Sequence, residues 1–435
     1  MSLEIQSIDA WEILDSRGRP TLEVAVSLAG GVPAHAQVPS GASTGRHEAL
    51  ELRDGDRGRY AGKGVQRAAE HVRNTLAPAL AGMNAADQGA VDRRLIEADG
   101  TSNKSRLGAN ALLGVSCAVA RAAAATLGVP LWRRLAGSRP ACLPVPMVNI
   151  LSGGLHAGYN VEFQDFLAIP HGLSSYSEAL HAAVSIHEAA RKAIEQRWYV
   201  LTGVADEGGW GPQMKSNEEA LQILTEAIES AGYRPGEQVS IAIDAAATHF
   251  FREGRYELAS EERALDTAGM IDLLEGWCGR YPILSIEDGL EEDIWEGWRE
   301  LTRRLGSRVQ LVGDDLFTTN PERLRRGIGE GCANAVLAKL NQIGTLTETF
   351  EVIDLARQAG YLAVISARSG ETEDSFLADL AVASGMGQIK VGSVTRSERL
   401  AKYNRLLDLE HTGGLAWPGD SVFARFRATP RPGEG

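Results

Sequence analysis

The sequence has 435 residues, 44% of them hydrophobic and 23% charged, with a formal net charge of −13. That length is too great for one small domain and suits two or three, with room for a sizeable core. The acidic balance repels phosphate backbones and speaks against nucleic acid as a partner, so any phosphorylated substrate must be captured by local cations or bound metal.

In chain order, residues 3–10 and 20–29 alternate apolar and polar, as half-buried strands do, with the turn-rich DSRGRP between them. VPSGASTG at 38–45 is a loop of small residues, of the kind that lets backbone approach a ligand. From about 62 to 128 the pattern is helical, Ala-rich and broken near 100–105. Together these segments predict an N-terminal α+β capping domain over 1–137. The Pro-containing stretch SRPACLPVPM at 138–147 marks the boundary.

Beyond it, short apolar runs recur at 161–169, 200–204, 239–246, 283–288, 309–315, 335–341, 362–368 and 388–393. Amphipathic stretches such as 216–232, 267–280 and 345–360 fall between many of them. Alternating strand and helix over about 250 residues predicts a C-terminal β/α barrel as the catalytic domain, 138–430, giving an α/β fold class overall. The tail RATPRPGEG is expected to be loose.

The four cysteines, Cys117, Cys142, Cys278 and Cys332, form no C-x-x-C and lie in or beside apolar runs, so they read as buried reduced thiols. The N-terminus has no basic stretch followed by an apolar one, so no signal peptide is expected. The Ala-rich run 118–127 carries Arg121 and is too short to span a bilayer. A cytoplasmic location with no membrane span is the expectation.

The apolar runs end in charge. Asp244 closes IAID, Glu287 and Asp288 close LSIED, and Asp314 and Asp315 close LVGDD, while Lys339 and Lys390 interrupt two later runs. A charged group in a hydrophobic strand is costly unless it is paired or metal-bound. A lone Asp at a strand end is more often a helix cap. Three on successive strands of a barrel converge on one mouth, followed by two lysines, and a shared site is then the better reading. Carboxylate oxygens suit Mg²⁺. A desolvated lysine beside metal is expected to have a lowered pKa, as a general base requires. The reaction class is proton abstraction next to a carboxylate, followed by elimination.

The chain resembles the enolase family from about residue 3 to about 410, through ILDSRGRPTLEV, VPSGASTGRHEALELRDGD, NKSRLGANA, LPVPMVNILSGGLHAG, DEGGWGP, LSIEDGL, LVGDDLFTTN, KLNQIGTLTET, ISARSGETED and QIKVGSVTRSER. The resemblance implies reversible Mg²⁺-dependent dehydration of a small phosphorylated carboxylate, 2-phosphoglycerate, to phosphoenolpyruvate, with two Mg²⁺ per site and a homodimer or larger homo-oligomer. It implies that Asp244, Glu287 and Asp314 hold the tightly bound Mg²⁺ and that Ser43 helps hold a second. Lys339 takes the role of base at carbon 2 and Glu207 that of the acid at the carbon-3 hydroxyl. Lys390 faces the substrate carboxylate, Arg368 and Ser369 face the phosphoryl group, and His156 and Gln164 lie near the leaving hydroxyl.

The sequence departs from the family's pattern at four positions. Ala367 stands in place of a histidine that contacts the phosphoryl group, Asp165 in place of a glutamate, Ser152 in place of an asparagine and Ala205 in place of a glycine. Losing one charge-assisted contact at Ala367 is worth on the order of 1.5–3 kcal/mol. Asp165 is one methylene short, which can misplace its carboxylate. These departures raise a specialised alternative, such as carboxyphosphonoenolpyruvate synthesis in a phosphonate pathway. None of them removes a metal ligand, Lys339 or Glu207.

Overall fold

The computed structural model describes residues 2–41 and 45–427. Strands β1 (Ile5–Leu14), β2 (Pro20–Leu28) and β3 (Ala34–Gln37) form an antiparallel sheet in that order. β1 runs four residues past its expected end because Trp11 to Leu14 pair with Glu23 to Pro20. The DSRG turn is held by the Asp15 carboxylate, which accepts from the amides of Arg17 and Arg19 at 2.9 Å each.

The helices Gln88–Asp99 and Ala109–Leu127 lie on either side of the expected break. Ala109–Leu127 is longer than the Ala-rich run suggested: its 19 residues are long and apolar enough to cross a membrane, yet 78% of its apolar window is buried inside the protein. It is therefore a core helix, packed across β2 and β3. Its approach is close at Gly114, where an added Cβ would meet Val24 Cγ2 at 2.5 Å.

The second body is a closed eight-stranded barrel. Its strands are β4 (Val145–Ser152), β5 (Asp165–Ile169), β6 (Ser240–Asp244), β10 (Ile283–Glu287), β11 (Gln310–Gly313), β12 (Ala335–Ala338), β13 (Leu362–Ser366) and β14 (Gln388–Gly392), adjacent in that order and closed by β14 against β4. Between β6 and β10 a small separate sheet is made by β7 (Phe251–Arg252), β8 (Arg255–Leu258) and β9 (Arg263–Leu265).

The structure corrects two sequence-based expectations. The run at 200–204 is not a strand; it lies in a loop where Leu201 packs on the core and Val204 forms an isolated bridge to Trp210. The missing barrel strand is β4, which begins inside the stretch read as a connection. Pro146 is the second residue of β4, paired with Ile389 near the strand's start, where a missing amide is best tolerated.

β5 runs antiparallel to both neighbours. The link from β4 to β5 holds only the short turn Gly154–Ala157 and no crossover helix, which a parallel return would need. Elsewhere the expected helices are present and capped. Ser216 accepts from the Glu219 amide before Asn217–Ser230, Asp266 from Gly269 before Thr267–Arg280, and Thr345 from Glu348 before Leu346–Gln358.

All four cysteines are free; Cys117 and Cys332 are buried, whereas Cys142 and Cys278 are only partly so. Burial pushes the Cys117 thiol well up, leaving it a poor nucleophile.

The Gly114 approach yields a test. Gly114→Val should destabilise the protein by about 1–3 kcal/mol through overpacking against Val24, read by urea denaturation. An unchanged midpoint would mean that the helix does not sit this close to the sheet.

Candidate active site

Alternate residues of a strand share one face, so each barrel strand carries a sequence of side chains from floor to rim. The inner floor is apolar and includes Val145, Met147, Leu167, Ala242, Val312 and Leu337, closed from below by Phe423 and Phe426. Above it, Gln310 and Gln388 exchange amide hydrogen bonds at 3.0 Å, and Gln310 also donates to Ser285 at 3.1 Å. Two residues further along, the rim is charged: Ala242 is followed by Asp244, Ser285 by Glu287, Val312 by Asp314, Leu337 by Lys339, and Gln388 by Lys390. Because β5 runs the other way, its first residue, Asp165, sits at the rim opposite Asp244. Gln164, just before β5, reaches the same place.

The rim charges are paired with each other. The Lys390 ammonium donates to Asp244 Oδ2 at 2.6 Å and to Glu287 Oε2 at 2.7 Å. Lys339 pairs with Asp314, whose other oxygen accepts from Gln342 Nε2 at 2.8 Å. Gln164 Nε2 donates to Asp244 Oδ2 at 3.1 Å. All of these side chains are nearly buried.

Burial alone would raise Asp244 and Asp314, yet Lys390 and Lys339 hold them below the usual carboxylate range. Glu287 goes the other way: burial and the neighbouring Asp244 push it well above that range. Burial alone would lower the lysines, but their carboxylates dominate. Lys390 is raised well above its ordinary value by Asp244 and Glu287, and Lys339 is raised by Asp314. This reverses the expectation of a lowered Lys339 pKa, because in this arrangement the ammonium has a direct carboxylate partner.

Do these residues fit a divalent cation? The donor set is hard oxygen, and Glu287 Oε1 is buried with no hydrogen-bond partner among the described residues. An orphaned, buried carboxylate oxygen facing two further carboxylates is a natural ligand. Among the described residues, acidic or His ligand atoms lie within 4.8 Å of one another in His156–Asp165–Glu207, Asp288–Asp314–Asp315 and Glu291–Glu292–Asp293. The expected trio is not among these; Lys390 bridges Asp244 and Glu287, and Lys339 pairs with Asp314. Asp288 is a brace: its oxygens accept from the amides of Asp314 at 2.9 Å and Asp315 at 2.7 Å, fixing the end of β11.

On the other side of the cleft, the His156 turn brings its ring between two carboxylates. His156 Nδ1 lies 2.9 Å from Asp165 Oδ2, and Nε2 lies 3.9 Å from Glu207 Oε1. The short Asp165 side chain is supported by the Ser152 hydroxyl, which donates to Oδ1 at 3.0 Å, and by the Asn149 amide. Ser152 and Asp165 are thus in direct contact, and Asp165 still reaches His156. Burial works against the imidazolium, but Asp165 and Glu207 raise His156 to about 9. Burial likewise works against the Glu207 anion, but His156, Arg399 and Lys390 bring its pKa down.

One cleft is lined by His156, Gln164, Glu207, Asp244, Lys339, Ala367, Arg368, Ser369 and Lys390. All the catalytic and substrate-binding residues expected from the sequence line it except Asp165, which lies behind His156. Ser43 lies outside the described residues. Arg368 pairs with Glu48 at 2.9 Å, and Ser369 Oγ accepts from Arg17 at 3.1 Å. Ala367 lines the cleft with its methyl group and donates its amide to Lys390 O at 2.9 Å. Ala205 needs no left-handed backbone, so a side chain is tolerated there without strain. Trp210 packs on His187 at 4.6 Å, as a structural residue. Sequence reasoning missed Glu48, Arg17 and Gln342. They sit in stretches with no period to mark them, and only the tertiary fold brings them against Arg368, Ser369 and Asp314.

Two family profiles match the chain: the enolase N-terminal domain over residues 5–135 and the enolase C-terminal TIM barrel domain over residues 140–420. The chain is also 56% identical over 434 residues to the enolase of Rubrobacter xylanophilus, covering 99% of this chain and 100% of that one. The chain belongs to the enolase family. Membership implies a divalent metal, and the acidic groups of the barrel mouth, Asp288–Asp314–Asp315 among them, could hold one.

The raised His156 gives a pH prediction with a defined sign. Its pairing with Asp165 stabilises the fold fully below the unfolded value near 6.5, and that contribution disappears as pH rises through about 9. Stability should therefore decline between these limits in the wild type. In His156→Asn that decline should be absent, as measured by urea midpoints across the range; parallel curves for the two proteins would contradict the assignment.

Proposed function

We propose that the protein is an enolase, catalysing the reversible dehydration of 2-phosphoglycerate to phosphoenolpyruvate. The whole-chain identity to an enolase carries this reading, and the intact set of rim charges supports it. No observation favours the carboxyphosphonoenolpyruvate alternative.

In this reading Asp244, Glu287 and Asp314 hold one Mg²⁺, and Ser43 contributes to a second. The bound cations supply charge stabilisation for the substrate carboxylate as negative charge builds there. The chain's own residues do the rest. Lys339, on the β12 end, exchanges the proton at carbon 2. Glu207 hands a proton to the departing carbon-3 hydroxyl, drawing on the imidazolium of His156 beside it. Asp165 fixes the ring of His156, and Gln164 orients the hydroxyl. Lys390 faces the carboxylate, while Arg368 and Ser369 bind the phosphoryl group without help from a side-chain donor at 367. Charged groups fixed in a buried cleft need little reorganisation during reaction.

We further infer a cytoplasmic homodimer, with the N-terminal domain taken as 1–137 and the barrel domain as 138–430. Trp198 and Val200 are exposed apolar side chains, 92% and 80%, of the type that a subunit contact covers.

The test is turnover of 2-phosphoglycerate with Mg²⁺, followed by ultraviolet absorbance of the enol product. Wild type should turn over rapidly, and Lys339→Ala should lose at least about 100-fold in kcat. A folded wild-type protein that binds Mg²⁺ and leaves 2-phosphoglycerate untouched would remove the assignment.

A further inference from the structure

The roles above make no use of the Glu48 carboxylate, yet its side chain is 7% exposed and pairs with Arg368, which lines the cleft. Its Oε2 accepts from Arg368 Nη1 at 2.9 Å. Its Oε1 accepts from the Gly45 amide at 2.9 Å, from Arg368 Nη2 at 3.3 Å and from Gln342 Nε2 at 3.3 Å. The same Gln342 amide donates to Asp314 Oδ1 at 2.8 Å, and its own oxygen is fixed by Thr319 Oγ1 at 2.6 Å. Asn341 Oδ1 steadies Arg368 from the side at 3.0 Å.

One carboxylate therefore holds both arms of the guanidinium fork and shares an amide with a rim carboxylate. A bidentate, buried Arg–carboxylate pair is strong and fixes geometry. An anion that reaches Arg368 meets a guanidinium already matched by Glu48, and must compete for it. We propose that Glu48 is a positioning residue that aims Arg368 and, by that competition, sets how tightly the cleft holds a phosphoryl group. The inference rests on the enolase reading for the identity of the anion. Its physical content is moderated affinity in exchange for a fixed fork: without Glu48 the anion binds more tightly and turns over more slowly.

The experiment is calorimetric titration of inorganic phosphate into the full-length wild-type protein and Glu48→Gln, both with Mg²⁺, alongside kcat and KM for 2-phosphoglycerate. The carboxamide keeps the shape and removes the charge. Phosphate Kd should fall about tenfold, with KM and kcat falling together. A purely structural role would lower kcat without tightening phosphate. Unchanged or weaker phosphate binding in Glu48→Gln, or no phosphate binding by either protein, overturns the proposal. If Glu48→Gln does not fold by thermal melting, Glu48→Asp takes its place: the carboxylate withdraws from the fork, and phosphate should again bind more tightly, while unchanged affinity overturns the proposal. Tighter phosphate in the variant with a wild type inert toward 2-phosphoglycerate would sink the enolase reading and leave the Glu48 inference standing.

Discussion

The Lys390 ammonium, set between Asp244 and Glu287 at 2.6 and 2.7 Å, is the contact on which the rest of the site depends. Three buried carboxylates at one barrel mouth would repel one another and pay a heavy desolvation cost if left alone. The two rim lysines relieve that cost. Charge balance is incomplete, however, and Glu287 shows where: its pKa is pushed up, and one of its oxygens has no partner among the described residues. The barrel wall keeps these groups from drifting apart, because each is fixed two residues beyond an apolar or polar floor residue on the same strand. The geometry of the rim is thus a direct consequence of strand periodicity and barrel closure.

The antiparallel β5 has a second consequence. In a fully parallel barrel, the beginning of a strand lies at the floor, far from the chemistry. Reversal brings Gln164 and Asp165 to the rim, beside Asp244 and within reach of His156. The His156–Asp165 pair, the Ser152 hydroxyl and Glu207 then form a wall facing the two lysines. The departures at 152 and 165 meet in one hydrogen bond of 3.0 Å, so two changes that look separate along the chain act on the same carboxylate. Ala367 has no such partner: it presents only a methyl group to the cleft.

Much of this was legible from residue types and spacing. Asp244, Glu287, Asp314, Lys339 and Lys390 announce themselves because charge at the end of an apolar run is rare and costly. Helices such as Leu346–Gln358 are marked by period and by a capping threonine. The second barrel strand's direction was not legible, since alternation is the same read either way. β4 was hidden by prolines that usually signal a connection, and 200–204 mimicked a strand by composition while lacking a partner. The ionisation of Lys339 depends on a partner distance that no sequence pattern encodes. Glu48 and Arg17 reach Arg368 and Ser369 through contacts between the N-terminal segment and the barrel.

The central claim is that the rim carboxylates are arranged to receive a divalent cation. The direct measurement is thermal unfolding of the wild type and Glu287→Gln with and without millimolar Mg²⁺, since a cation bound only by the folded state stabilises it by mass action. The wild-type Tm should rise clearly with Mg²⁺, with little or no rise in the variant. Equal shifts in both proteins, or no shift in the wild type, would contradict the claim.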